Sequence, residues 1–182
     1  MDAAERAGVV PAANWNNVAG AVSTLPFALT DDAGAATSAS VTWTANNGWM
    51  TPIADQPGNA RLMKGYLDTS SSSVTTVTVA GLAPGAYDVY VYVDGDNRAY
   101  TRTAAYRIAA TGITPVTINL ADQADTNFAG GFSEATATSA AGNYLKFSIT
   151  GDGFTLTATP ASSTNATLRA PINAIQIVRS AQ

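Results

Sequence analysis

The chain has 182 residues, enough for one domain with a core of its own. Charged residues make up 12%, the net charge is −4 and only Lys64 and Lys146 are lysines, so no basic stripe awaits nucleic acid; no run of about 18 apolar residues spans a membrane. Cysteine and histidine are both absent, which excludes disulfides, thiolate chemistry, a Ser-His-Asp triad and a His-ligated zinc site.

In chain order, residues 7–10 predict a short first strand, broken by Pro11-Ala12-Ala13-Asn14-Trp15-Asn16-Asn17. Trp15 among three asparagines reads in two ways. It is a sugar-stacking loop, or it is a ring plugging the end of a sandwich with asparagines as turn residues. Residues 22–30 predict an edge strand, because Pro26 interrupts it. Asp31-Asp32-Ala33-Gly34 is a solvated turn, although paired aspartates also suit calcium. Residues 39–45 alternate, with Val41, Trp43 and Ala45 on the core face. They lead into Asn46-Asn47-Gly48-Trp49, a turn whose aromatic tip is either a ligand platform or a core plug. Pro52, Pro57 and Gly58 punctuate the next stretch; Asn59 caps one helical turn over residues 60–64. The serine run 70–73 is a loop, and residues 74–79 are a strand.

Gly85 to Val93 alternates strictly, with Tyr87, Val89, Val91 and Val93 on one face and Asp88, Tyr90, Tyr92 and Asp94 on the other. Such a strand belongs inside a sheet, since an exposed edge of this kind invites pairing with another chain. Tyr90 and Tyr92 are core if their face packs on the second sheet; if that face is open and concave they line a glycan groove. The strand closes in Asp94-Gly95-Asp96-Asn97. Asp94 and Asp96 alternate as in part of a calcium loop, but the later bidentate glutamate is missing; the other reading is a plain turn. Strands follow over 100–110 and 116–120, then an irregular stretch, 121–143. A hairpin turns at Gly151-Asp152-Gly153, and the last strand covers 170–178. Nine or ten short strands with turns every 8 to 12 residues predict an all-β, two-sheet antiparallel β-sandwich or jelly roll, whose first and last strands lie side by side, formed by one domain, 1–182.

Three stretches then fall into a recognisable order. They are Gly65-Tyr66-Leu67-Asp68, Ala83-Pro84-Gly85-Ala86-Tyr87-Asp88-Val89-Tyr90-Val91-Tyr92, and Pro171-Ile172-Asn173-Ala174-Ile175-Gln176-Ile177. The order resembles the galactose-binding-like β-jelly rolls, particularly carbohydrate-binding modules of the family 6 and 35 type and malectin-like domains, over residues 60–100 and 140–180. The resemblance implies a non-catalytic appendage of a secreted polysaccharide-degrading enzyme, with the ligand among loops at one end of the sandwich. It implies that Tyr66 stacks on the sugar, that Asn173 hydrogen-bonds it, and that Asp94 to Arg98 form a neighbouring loop. The acidic residues that hold a structural calcium near the N-terminus in that family are not matched, since only Asp2 and Glu5 precede the first strand.

The expectation is therefore a carbohydrate-binding module that targets an appended enzyme to a polysaccharide or oligosaccharide. Its binding residues are Trp15, Asn47, Trp49, Tyr66, Asp94, Asn97, Arg98 and Asn173. No catalytic residue is expected, calcium is the one cofactor suggested, and Asp94 with Asp96 are its ligands. The chain is read as a monomeric domain excised from a longer, extracellular bacterial protein, with Met1 as an added initiator. The alternative is a structural or adhesive spacer domain, which predicts few and scattered exposed aromatics. An enzyme built on Asp94 with Asp96 or Asp68 lacks any pattern that sets two carboxyls across a cleft.

Overall fold

The structure is a computed structural model that describes residues 1–180. Its elements are β1 (Phe27–Thr30), β2 (Ala36–Thr44), β3 (Asn47–Met50), α1 (Asn59–Leu62), β4 (Gly65–Asp68), β5 (Thr75–Ala80), β6 (Gly85–Tyr92), β7 (Arg102–Ala109), β8 (Val116–Asp122), β9 (Glu134–Ala135), β10 (Tyr144–Gly151), β11 (Phe154–Ser163) and β12 (Ala174–Arg179). A six-stranded sheet runs β1-β2-β5-β11-β7-β8 and a four-stranded sheet runs β12-β6-β10-β9; β3 and β4 form a ladder of their own. The ladders are antiparallel except for the short β9–β10 pair. This is the expected all-β sandwich. Its outermost strands differ from expectation: β1 and β12 lie at the edges of opposite sheets, and β12 pairs with β6.

The long alternating strand sits where its pattern requires. β6 has β10 on one side and β12 on the other. Val89, Val91 and Val93 face the six-stranded sheet and are sealed against Tyr106, Ile108 and Leu156, with Leu145 and Phe147 from β10 beside them. Trp43 belongs to the same core, and its Nε1 donates to the Gly20 carbonyl at 3.0 Å.

Tyr90 and Tyr92 are core, as one of the two expectations has it, but the layer that covers their face is not the second sheet. A third layer covers that face, made of Ala7, Leu62, Met63 and Phe128, with Trp15, Phe132 and Tyr144 packed around. The buried phenol of Tyr92 organises that layer. It accepts from Val9 N at 2.8 Å and donates to Gln176 Oε1 at 2.8 Å, and Gln176 Nε2 donates to the Val10 carbonyl at 2.6 Å. A buried hydroxyl and a buried amide are thereby satisfied, which is the condition for placing them inside.

Two further expectations are corrected here. Residues 7–10 form no strand, only a single bridge between Ala7 and Ala12, because Gly8 takes a φ of 98° that a strand cannot hold. Asn59 is not the helix cap but its first residue; its Oδ1 accepts instead from Gly8 N at 2.9 Å. A Cβ on Gly8 would stand 2.8 Å from Gln176 Oε1 and 3.0 Å from the Tyr92 hydroxyl. Gly8→Ala is therefore expected to cost about 1–3 kcal/mol, by backbone strain and by opening the Tyr92–Gln176 network. Urea unfolding of the two proteins measures it, and an unchanged midpoint refutes it.

Candidate functional site

A cleft of about 1450 Å³ opens beside the free edge of β12. Its walls come from β12, from Val41, Trp43, Val77 and Val79 of the six-stranded sheet, from the N-terminal segment, and from β3 and β4. The β3–β4 ladder is itself a correction. Asn47-Gly48-Trp49 is strand rather than turn, and Trp49 stands directly opposite Tyr66. Register partners in an antiparallel ladder project to the same side. The two rings nevertheless have different fates. Trp49 is 56% exposed, with Met50 exposed beside it, while Tyr66 is buried. The Tyr66 hydroxyl accepts from Asp96 N at 3.2 Å, and burial pushes its phenol up to about 12, so it stays neutral. Asn47 is exposed and makes no side-chain hydrogen bond among the described residues.

Five of the eight residues expected from the sequence line this cleft: Trp15, Asn47, Trp49, Tyr66 and Asn173. Their hydrogen bonds separate them. Trp15 Nε1 donates to the Ala12 carbonyl at 3.0 Å, and its ring meets Tyr92 edge-on at 6.3 Å. The flanking asparagines are fasteners. Asn14 donates to the Asp32 carbonyl, Asn16 makes three bonds to Thr30, and Asn17 ties both ends of Met1. Asn173 is likewise engaged at both ends of its amide, accepting from Asp94 N and donating to the Met63 carbonyl, each at 2.6 Å. Asn47 and Trp49 are left with surface to offer a ligand.

The other three expected residues lie elsewhere. Arg98 projects from the outer surface and donates to Asp96 Oδ1 at 3.1 Å. Asp94 is 2% exposed and Asn97 is 1% exposed, both in the loop that follows β6. Asp94 Oδ2 accepts from Phe128 N at 2.9 Å. Asp94 and Asp96 therefore share no partner, and among the described residues no three acidic side chains converge on one point.

The partner of Asp94 is one the sequence did not disclose. Asp122, at the end of β8, is also buried, and its Oδ2 accepts from Gly95 N at 3.0 Å. The two strands belong to different sheets, so no spacing in the sequence links the two carboxyls. Burial pushes Asp94 up to about 6; burial and then the Asp94 charge push Asp122 up to about 8. In the unfolded chain both titrate near pH 4. Between those limits the folded state holds more protons than the unfolded state, so stability falls as pH rises from about 4 to about 8 and then levels. In buffer containing EDTA, urea midpoints are expected to show that decline, and Asp122→Asn to flatten its upper half. A midpoint that rises with pH over this range contradicts it.

No family model and no curated relative matches the chain. Among solved structures, a similar chain is the carbohydrate-binding module TmCBM61 in complex with β-1,4-galactotriose, at 10% identity and a TM-score of 0.37, over 64% of this chain and 72% of that one.

Proposed function

We propose that the chain is a non-catalytic, extracellular carbohydrate-binding module that carries an appended enzyme to a glycan, and that the glycan lies in the β12 cleft against the ring of Trp49. The observation that carries this reading is the exposed Trp49–Met50 pair on a strand lining that cleft. A tryptophan ring left half in water has roughly 100 Å² of apolar surface to bury, worth about 2–3 kcal/mol on contact with a ligand. Sugars present apolar C–H faces to such a ring and hydroxyls to an unengaged amide. Asn47 supplies that amide two positions before Trp49, hence on the same side of β3.

The spacer reading predicts few and scattered exposed aromatics, and in number it fits, since among the described residues these are Phe27, Trp49 and Tyr100. The wider set of exposed apolar side chains favours the module reading. Of the ten large apolar side chains exposed among the described residues, seven fall within the first fifty positions: Val10, Val18, Val22, Leu25, Phe27, Trp49 and Met50. Val10, Val18, Trp49 and Met50 line the cleft itself.

Affinity electrophoresis against a panel of polysaccharides, followed by calorimetry, tests the proposal. Trp49→Ala is expected to weaken binding at least about tenfold while leaving the melting temperature unchanged, because the ring is exposed. Arg98→Ala, outside the cleft, is expected to bind as the wild type does. Equal binding by Trp49→Ala moves the glycan out of the cleft, and no binding by the wild type to any polysaccharide leaves the spacer domain as the better account.

A further inference from the structure

The junction between the loop after β6 and the loop after β8 is rich in oxygen acceptors and poor in donors. Asp94 and Asp122 are both buried there, and among the described residues neither has a lysine or arginine within ion-pair distance. The nearby cations are engaged elsewhere. Arg98 holds Asp96, and Arg102 donates to the Asp96 and Thr167 carbonyls. Buried charges in proteins are paired or coordinate metals.

A second observation is independent of the carboxyls. The amide oxygens of Asn97 and Asn127 are both buried without a hydrogen-bond partner. Each belongs to the same junction. Asn97 reaches across with its Nδ2 to the carbonyl of Gln123, the neighbour of Asp122. Asn127 directly precedes Phe128, whose N–H binds Asp94 Oδ2. An orphaned buried amide oxygen has lost its hydrogen bonds to water without replacement, and two at one junction need a common explanation.

We propose that this junction is a site for a hard divalent cation of the calcium class, with Asp94 and Asp122 supplying the charge and the amide oxygens of Asn97 and Asn127 supplying neutral ligands. The donor set is oxygen alone, two carboxylates and two amides, which suits calcium and disfavours zinc. Calcium takes six to eight oxygens, so backbone carbonyls or water complete the shell. The ion does not rest on the glycan reading, but it bears on the cleft. It fixes the loop whose Asp96 N–H holds the Tyr66 hydroxyl, and Tyr66 is the register partner of Trp49.

The test uses the whole chain, stripped with EDTA and desalted at pH 7.5. Added calcium chloride is expected to raise the melting temperature by about 5 °C at saturation. Terbium is expected to luminesce on tyrosine excitation, with Tyr66 close to the site, and calcium to quench that signal by displacement. Asn97→Ala and Asp122→Asn are each expected to weaken calcium binding at least about tenfold; if Asp122→Asn does not fold, Asn97→Ala and the wild-type titration still decide. No calcium-dependent change in the wild type overturns the proposal. So does an equal rise with sodium chloride of the same ionic strength, or undiminished calcium affinity in the folded variants.

Discussion

Burial of β6 on both faces is the constraint from which the rest of the molecule follows. A strand with one apolar face needs one covering layer; a strand with valines on one side and tyrosines on the other needs two. The six-stranded sheet covers the valines. The tyrosines are covered by chain that has little regular structure, the N-terminal segment, α1 and the 128–132 loop. Irregular backbone can serve as a layer only if its polar groups find partners. Tyr92 and Gln176 provide them, which is why a phenol and an amide occupy positions that valine would fill in a drier sandwich. Gly8 is the closest approach in that contact.

The same arrangement makes the cleft. The N-terminal segment crosses the outer face of the four-stranded sheet and is then stitched to β1 by Asn16 and to the turn after β1 by Asn14. It thus bridges from one sheet to the edge of the other and leaves the free side of β12 unpaired beneath it. β3 and β4 pair only with each other, apart from one bridge between Leu67 and Ile172 that anchors them to the segment just before β12. A two-stranded ladder with one backbone bridge to its neighbours can present a ring outward, and Trp49 is that ring. The loop beyond β6 supports the ladder from behind, through the Asp96 to Tyr66 bond.

Much of this is legible in the sequence because period-two alternation survives tertiary packing. The strand beginning at Gly85, the Trp43 strand and the hairpin about Gly151-Asp152-Gly153 all stand where their patterns put them. The departures have physical reasons. Asn47-Gly48 carries the usual hairpin-turn signal. Here the chain continues extended through it, because the partner strand is β4, beyond α1, and not the residues that follow directly. Residues 7–10 look apolar enough for a strand, yet Gly8 is needed for its positive φ. The tyrosine face of β6 suggests a choice between a second sheet and open solvent. A third layer of irregular chain has no periodicity and leaves no such signature.

The candidate site shows the same limit at the level of single side chains. Asparagine beside an aromatic residue is a reasonable sign of sugar recognition, and the sequence offers it at Trp15, at Trp49 and before the last strand. What decides between recognition and structure is whether the amide has already found its partners. Asn14, Asn16, Asn17 and Asn173 have found theirs within the fold, so a sugar hydroxyl would have to displace a bond that holds the chain together. Asn47 has not, and it lies on the strand whose ring is exposed. Asn97 and Asn127 are the converse: their oxygens have no partner and no access to solvent, so a glycan in the cleft does not answer their need and an ion inside the junction does. Asparagine thus takes three roles in this chain that composition alone presents as one: fastening chain, meeting a ligand, and holding an ion.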